Sequence, residues 1–171
     1  MPLSEEVEIR GPTGDIVYLG HSDFLITGSF SPQPRKLHSP RVSLVLGGSG
    51  ITPGYALMAR VLQTEGNETE VKGVDANKTG EDIMLKGELD RFEKESDGRV
   101  RVVHVLSHGG EEWKRKRGRV DGEVLRRVLF PPEEGSVVSL CGPPGLVQKA
   151  ALPALKGTCS CCSGTKGVSG C

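Results

Sequence analysis

Neither sign of charge is in excess: 22 Lys and Arg balance 22 Asp and Glu over 171 residues. That removes the electrostatic footprint of a domain built to hold nucleic acid or a membrane surface. No apolar run approaches the roughly 20 residues that a bilayer span requires. The opening Met1-Pro2-Leu3-Ser4-Glu5-Glu6 is acidic and lacks the basic-then-apolar order of a secretory signal. A cytoplasmic protein with reduced thiols is expected, with no nucleic-acid or membrane partner. Cysteine is nearly absent from the body of the chain: Cys141 stands alone, and Cys159, Cys161, Cys162 and Cys171 crowd the end. Such crowding is unlike the dispersed framework of a small disulfide-bonded fold. Cys159 and Cys162 make a C-x-x-C, but zinc needs a second pair or two histidines at set spacing, so no metal site is assigned. No internal repeat is visible, and the length suits one domain with a sizeable core.

What is present is a change of pattern along the chain. Val7 to Ile26 reads as extended segments broken at Gly11-Pro12-Thr13-Gly14 and at Gly20, and the Ser/Pro-rich stretch from Thr27 to Pro40 reads as a linker. Beyond it, short apolar runs alternate with amphipathic stretches. Val42–Leu46 predicts a buried strand, and Pro53 is placed as the first residue of a helix carrying Leu57, Met58, Val61 and Leu62. Val71–Ala76 predicts a second strand. Thr79 and Asp82 resemble a capping box before a helix with Leu85, Leu89 and Phe92 on its inner face. Val100–Leu106 predicts a third strand, followed by a helix capped by Asp121 and carrying Val124, Leu125, Val128 and Leu129. Val137–Leu140 predicts a fourth strand, with a last helix opened by Pro143-Pro144 and ended by Pro153. This order is that of an α/β fold with an open, doubly wound parallel sheet. The divisions read as 1–40 (extended strands and linker), 41–156 (the α/β domain) and 157–171 (a disordered Cys/Gly/Ser-rich tail). The last edge strand of the sheet is expected to be missing.

Sheets of this kind bind ligands beyond the carboxyl ends of their strands. Two loops there carry chemistry. Gly48-Ser49-Gly50-Ile51-Thr52-Pro53 is a glycine-rich turn between strand and helix, where backbone N–H groups and the helix dipole favour an anion. It is G-x-G-x-x-P, so the strict G-x-G-x-x-G dinucleotide fingerprint is absent. Cys141-Gly142-Pro143-Pro144 ends the fourth strand on the same side; the prolines stiffen the loop and Gly142 permits close approach. Asp75, about 25 residues past the glycine turn, stands where an acid would hold a ribose in a dinucleotide site. The basic run Trp113-Lys114-Arg115-Lys116-Arg117-Gly118-Arg119 reads as a solvated loop able to meet phosphate. His21, His38, His104 and His108 are scattered, and none is assigned a catalytic role; His108 flanks the third strand's end.

Together with Ile9-Arg10-Gly11-Pro12-Thr13-Gly14, Asp75-Ala76-Asn77-Lys78-Thr79, Asp82-Ile83-Met84-Leu85 and Glu112-Trp113, these loops resemble the ferredoxin-NADP reductase superfamily, in the branch of cytochrome b5 reductase and eukaryotic nitrate reductase. The resemblance runs from Glu5 to Leu155, and the wording between motifs is most similar to fungal nitrate reductases. It implies that Gly48, Ser49, Gly50 and Thr52 hold the pyrophosphate and nicotinamide side of NADPH or NADH. It implies that Cys141 sits beside the nicotinamide during hydride transfer to FAD, with Gly142, Pro143 and Pro144 shaping the adjoining wall. NADH-preferring relatives carry an acid where Ser107 stands. A serine there, with Arg119 able to pair with a 2′-phosphate, favours NADPH. On that reading the third strand's end, and not Asp75, reads the adenosine end. The family's FAD-binding barrel has an Arg-x-Tyr-Ser strand that this sequence lacks, so FAD belongs to a flavin domain supplied in cis or in trans. The resulting expectation is an NADPH-type nitrate reductase fragment. The alternatives are a cytochrome b5 reductase fragment, or a remnant that binds nucleotide without redox chemistry or is inert.

Overall fold

The computed structural model describes residues 14–28, 33–110, 112–113, 116–158 and 168–170. Ile9–Thr13, Lys114, Arg115 and the clustered cysteines lie outside the described residues.

The extended N-terminal segments form a three-stranded antiparallel sheet of β1 (Ile16–Gly20), β2 (Asp23–Ile26) and β3 (Arg35–His38). β3 corrects the linker expected there. Phe24 pairs with Leu37 across β2 and β3, and Leu37 packs against the main core, so one apolar side chain and an available strand edge suffice.

The second sheet is five-stranded and parallel throughout, in the order β6-β5-β4-β7-β8. Its central strand β4 (Arg41–Gly47) is buried at every position after Arg41, as an apolar run covered on both faces requires. α1 (Ile51–Gln63) follows, then β5 (Glu70–Asn77), α2 (Lys86–Glu95), β6 (Val100–Leu106), α3 (Gly122–Val128) and β7 (Ser136–Cys141). The chain continues through α4 (Pro144–Leu146), a π turn (Val147–Ala151), α5 (Leu152–Thr158) and β8 (Val168–Gly170). Alternate β4 side chains serve two cores. Val42, Leu44 and Leu46 meet Met58 and Val61 of α1 and Leu89 and Phe92 of α2 on one face. Val45 joins Val74, Val105 and Leu140 under Val124, Leu125 and Ala151 on the other. Each such side chain, fully buried, contributes about 1.5–3 kcal/mol.

Three boundaries differ from expectation for identifiable reasons. α1 begins at Ile51, because a 3₁₀ turn at Gly48–Gly50 already winds the chain, and Pro53 occupies the helix's third position. Asp82 Oδ2 accepts from both the backbone N–H and the hydroxyl of Thr79 at 2.8 Å, yet no helix follows at once. Leu85 has φ +57°, a left-handed conformation that stops any helix before it, and α2 starts at Lys86. Pro153 does not end the last helix. Its missing N–H and its ring are accommodated by the π turn ahead of it, where the Leu152 N–H reaches the Val147 carbonyl.

The sheet edge expected to be empty is also corrected: Val168, Ser169 and Gly170 pair with Val138, Ser139 and Leu140 of β7. The Asp121 cap is as expected, its Oδ1 accepting the Val124 N–H at 2.8 Å. Among the described residues no helix is long and apolar enough to cross a membrane.

Candidate functional site

The glycine turn sits where β4 gives way to α1, at the centre of the parallel sheet. The Thr52 hydroxyl donates to the Ser49 carbonyl at 3.0 Å and closes the turn, leaving Ser49 and Thr52 exposed. The first turn of α1 holds no acidic residue, and among the described residues no side chain caps its start. A 13-residue helix therefore presents its donors and the positive end of its dipole to the space above the sheet.

Beside it, Leu46 of β4 is the register partner of Cys141 on β7. The two following turns are packed backbone to backbone. A Cβ on Gly50 would lie 2.3 Å from the Cys141 carbonyl oxygen, and one on Gly142 would lie 3.1 Å from the Gly47 nitrogen. Glycine at both positions is thus a condition of the apposition. Pro143, in extended conformation, opens α4, and its carbonyl accepts the Leu146 and Val147 N–H groups at 2.9 and 3.1 Å. Pro143 and Pro144 are exposed and Cys141 is half-buried. Cys141 also lines a 510 Å³ cavity between the two sheets, whose walls include Tyr18, Phe24, Leu37, Pro53 and Leu57. That volume is typical of a small-molecule site.

The third strand ends in a separate polar edge. The N–H groups of Ser107 and His108 donate to the carbonyls of Asn77 and Lys78 at 3.0 and 2.8 Å, and Ser107 Oγ lies 3.0 Å from His108 Nδ1. The basic loop returns to the same place: Leu106 N–H donates to Lys116 O, and Gly118 N–H donates to Leu106 O. Trp113 braces that loop, its indole N–H donating to Lys116 O at 3.2 Å. Ser107 and Arg119 are both exposed. Nearby, the hydrogen bonds from the Thr79 hydroxyl and N–H hold the Asp82 carboxyl below the usual aspartate range.

The fold thus brings the turn that carries Gly48, Ser49, Gly50 and Thr52 against the one that carries Cys141, Gly142, Pro143 and Pro144, in contact at Gly50 with Cys141 and Gly142 and at Gly47 with Gly142 and Pro143. Ser107 stands at the end of β6, three strand positions from β7, or about 14 Å at the usual strand spacing. Asp75 is not available to a ribose. It is 1% exposed, and its Oδ2 lies 2.9 Å from Nδ1 of the equally buried His104. Sequence reading missed this pair. The signal was there in retrospect: Asp75 and His104 are each fifth from Val71 and Val100, which are themselves register partners.

A glycine turn at the switch point of a doubly wound sheet, facing a stiff Cys-Gly-Pro-Pro turn, defines a nucleotide-binding α/β domain. The profile of the family described as "Oxidoreductase NAD-binding domain" matches residues 44–151, and the chain belongs to that family. It is 35% identical over 153 residues to a nitrate reductase [NADPH] of Emericella nidulans, covering 88% of this chain and 17% of that protein. It is 31% identical over 156 residues to NADH-cytochrome b5 reductase 2 of Mus musculus, covering 91% of this chain and 56% of that protein. The cytochrome b5 reductase domain of Ulva prolifera nitrate reductase superposes with a TM-score of 0.80 at 28% identity, over 91% of this chain and 58% of that one. The chain therefore spans only part of the length of each of these relatives. The fold is the NAD-binding half of a ferredoxin reductase-like protein.

Proposed function

We propose that this chain is the pyridine-nucleotide-binding half of a flavin-dependent reductase, serving a nitrate reductase that draws on NADPH. The observation that supports the reading is the backbone contact between the Gly47–Thr52 and Cys141–Pro144 turns, next to a helix start with no side-chain cap. Gly48, Ser49, Gly50 and Thr52 fit a pyrophosphate, which needs N–H donors, a hydroxyl and room for close backbone approach. Cys141, with Gly142, Pro143 and Pro144, forms the wall against which the nicotinamide ring is oriented. When bound, the nicotinamide supplies a hydride to FAD held by a flavin domain in cis or in trans. No general base is required of the chain, which agrees with histidines engaged elsewhere: His38 with Asp23 at 2.7 Å and His104 with Asp75.

Ser107 and Arg119 support NADPH over NADH. A hydroxyl at the end of β6 and the guanidinium of Arg119, one residue past the Gly118–Leu106 backbone bond, can both meet a 2′-phosphate, where a carboxylate would repel it. The relatives carry either coenzyme in their names, NADPH in Emericella nidulans and NADH in Petunia hybrida, so the choice is made on these residues. A cytochrome b5 reductase would use the same half-site and differ in what the flavin reduces. A cytoplasmic setting goes with the same reading.

The test is a calorimetric titration of the purified chain with NADP⁺ and NAD⁺ in parallel. NADP⁺ is expected to bind more tightly, and Arg119→Ala to weaken it by about 10- to 100-fold, the span of one hydrogen bond to a charged group. Equal affinity for both nucleotides, unchanged by the substitution, refutes the NADPH assignment. Binding of neither leaves the glycine turn as inherited shape without function.

A further inference from the structure

Under the carboxyl ends of β5 and β6 lies a polar cluster that the proposed function does not use. Asp75 and His104 are register partners on adjacent strands, joined at 2.9 Å, each 1% exposed. Asn77 Nδ2 donates to the same Asp75 oxygen, Oδ2, at 2.8 Å, while Oδ1 is buried and has no hydrogen-bond partner among the described residues. A buried ionisable pair with one oxygen unsatisfied is a poor way to stabilise a sheet, since well-packed apolar residues do as well or better. The neighbours two residues away on the strands include Gly73, Val102 and Leu106, and those next in sequence are Val74, Ala76, Val103 and Val105, so an apolar pair would be in keeping there. The cluster calls for a role other than stability.

Its connections point outward, to the strand ends. The Asn77 side chain is tied to Asp75, and its carbonyl receives the Ser107 N–H at 3.0 Å. Lys78, the next residue, receives the His108 N–H. The strand ladder thereby continues past β6 into the Ser107–His108 turn, through a residue whose orientation the buried carboxylate sets. On the other side of β6, the segment leading to Arg119 is held by the two backbone bonds at Leu106. The Ser107 turn is thus braced by Asn77 on one side, while the segment leading to Arg119 is tied to the adjoining Leu106 on the other.

We propose that the Asp75–His104 pair is a positioning device for coenzyme selectivity. By orienting Asn77 it holds the Ser107–His108 turn in the geometry that distinguishes a 2′-phosphorylated ribose from a bare one. The pair touches no ligand and acts through Asn77. The inference rests on Ser107 and Arg119 being the 2′-phosphate site.

The experiment compares 2′,5′-ADP with 5′-AMP, which probe the adenosine end alone, by calorimetry on the full chain. Three variants are paired with the wild type: Asp75→Val/His104→Leu, Asp75→Asn and Arg119→Ala. The double variant is expected to stay folded, judged by circular dichroism and thermal midpoint, and to lose about tenfold in preference for 2′,5′-ADP, the equivalent of one hydrogen bond to a charged group. Asp75→Asn, which keeps an acceptor oxygen for His104 and Asn77, is expected to retain the preference. A purely structural pair would move the midpoint and leave the ratio alone. If the double variant does not fold, Asn77→Ala removes the link while leaving the buried pair intact, and must lower the same ratio. A folded double variant, or Asn77→Ala, with the wild-type ratio overturns the positioning role alone, provided Arg119→Ala abolishes the preference. If the wild type shows no preference, or Arg119→Ala leaves it unchanged, the 2′-phosphate site itself is wrong and the positioning role falls with it.

Discussion

The contact between the two turns can be tested by a single methyl group. Gly50 has φ −63° and ψ −7°, a conformation any residue adopts, so Gly50→Ala introduces no backbone strain. The added Cβ would lie 2.3 Å from the Cys141 carbonyl oxygen, 2.6 Å from its carbon and 2.8 Å from the Gly142 nitrogen. All three are backbone atoms of a segment hydrogen-bonded into β7 and stiffened by two prolines, so no side-chain rotation relieves the overlap. Restoring ordinary contact, which begins at 3.4 Å, requires the turns to part by about 1 Å. Overpacking of this kind costs about 1–3 kcal/mol, against a gain of about 0.4–1 kcal/mol from the less flexible unfolded chain. The net loss, about 1.3 kcal/mol at the middle of those ranges and about 2.6 kcal/mol at most, lowers the thermal midpoint by about 3–5 °C at that middle value for a chain of this size. Gly48→Ala is the control with the opposite cause. Nothing lies within 4 Å of its Cβ position, but φ is +55°, so its cost of about 1–2 kcal/mol is conformational and local. Circular dichroism melts and NADP⁺ titrations on both variants separate the effects. Gly50→Ala should weaken binding more than its stability loss alone implies, because it parts the two halves of the site. A Gly50→Ala chain with unchanged midpoint and affinity would refute the apposition.

Two further outcomes follow from caps and charge. Asp121→Ala removes the acceptor for the Val124 N–H at the start of α3 and should cost about 1 kcal/mol in urea unfolding, with no change in nucleotide affinity. The Asp82 carboxyl is held below its ordinary value of 3.8 by the side-chain and backbone hydrogen bonds of Thr79. Because the folded value is the lower one, the stability it contributes is present above pH 3.8 and is lost as pH falls through the folded value. Thr79→Ala should raise the Asp82 midpoint in a carboxyl ¹³C titration and lessen the acid sensitivity in that window; an unmoved midpoint would show that the hydroxyl is not the cause.

Much of the sheet was readable from local pattern because each βα unit carries its own signals. Val100–Leu106 matches β6 residue for residue, and Asp121 caps α3 as its chemistry suggests. What escaped was structure stabilised by something elsewhere in space. β3 begins with the charged Arg35 and Lys36 and is a strand because β2 offers it an edge. β8 needs only backbone groups to pair with β7, so a segment poor in apolar residues sufficed. Pro153 reads as a stop in any α-helical pattern, and only the π turn before it lets the helix continue.

The same distinction separates two acids, Asp82, expected as a helix cap, and Asp75, which stands where an acid would hold a ribose. Asp82 could be judged from its neighbours, because its partner is three residues away. Asp75 could not, since its position at the end of the second strand is that of a ribose ligand in many doubly wound sheets. Its partner, His104, lies 29 residues further on and meets it only after β5 and β6 have paired. Burial turns a residue that looked like a ligand for the coenzyme into one that can act only on the protein. On the proposed function, selectivity rests on the edge beyond β6, where Ser107 and Arg119 remain exposed. The acid earlier in the chain retains an influence through Asn77, because the backbone bond from Ser107 to Asn77 connects the buried pair to that edge.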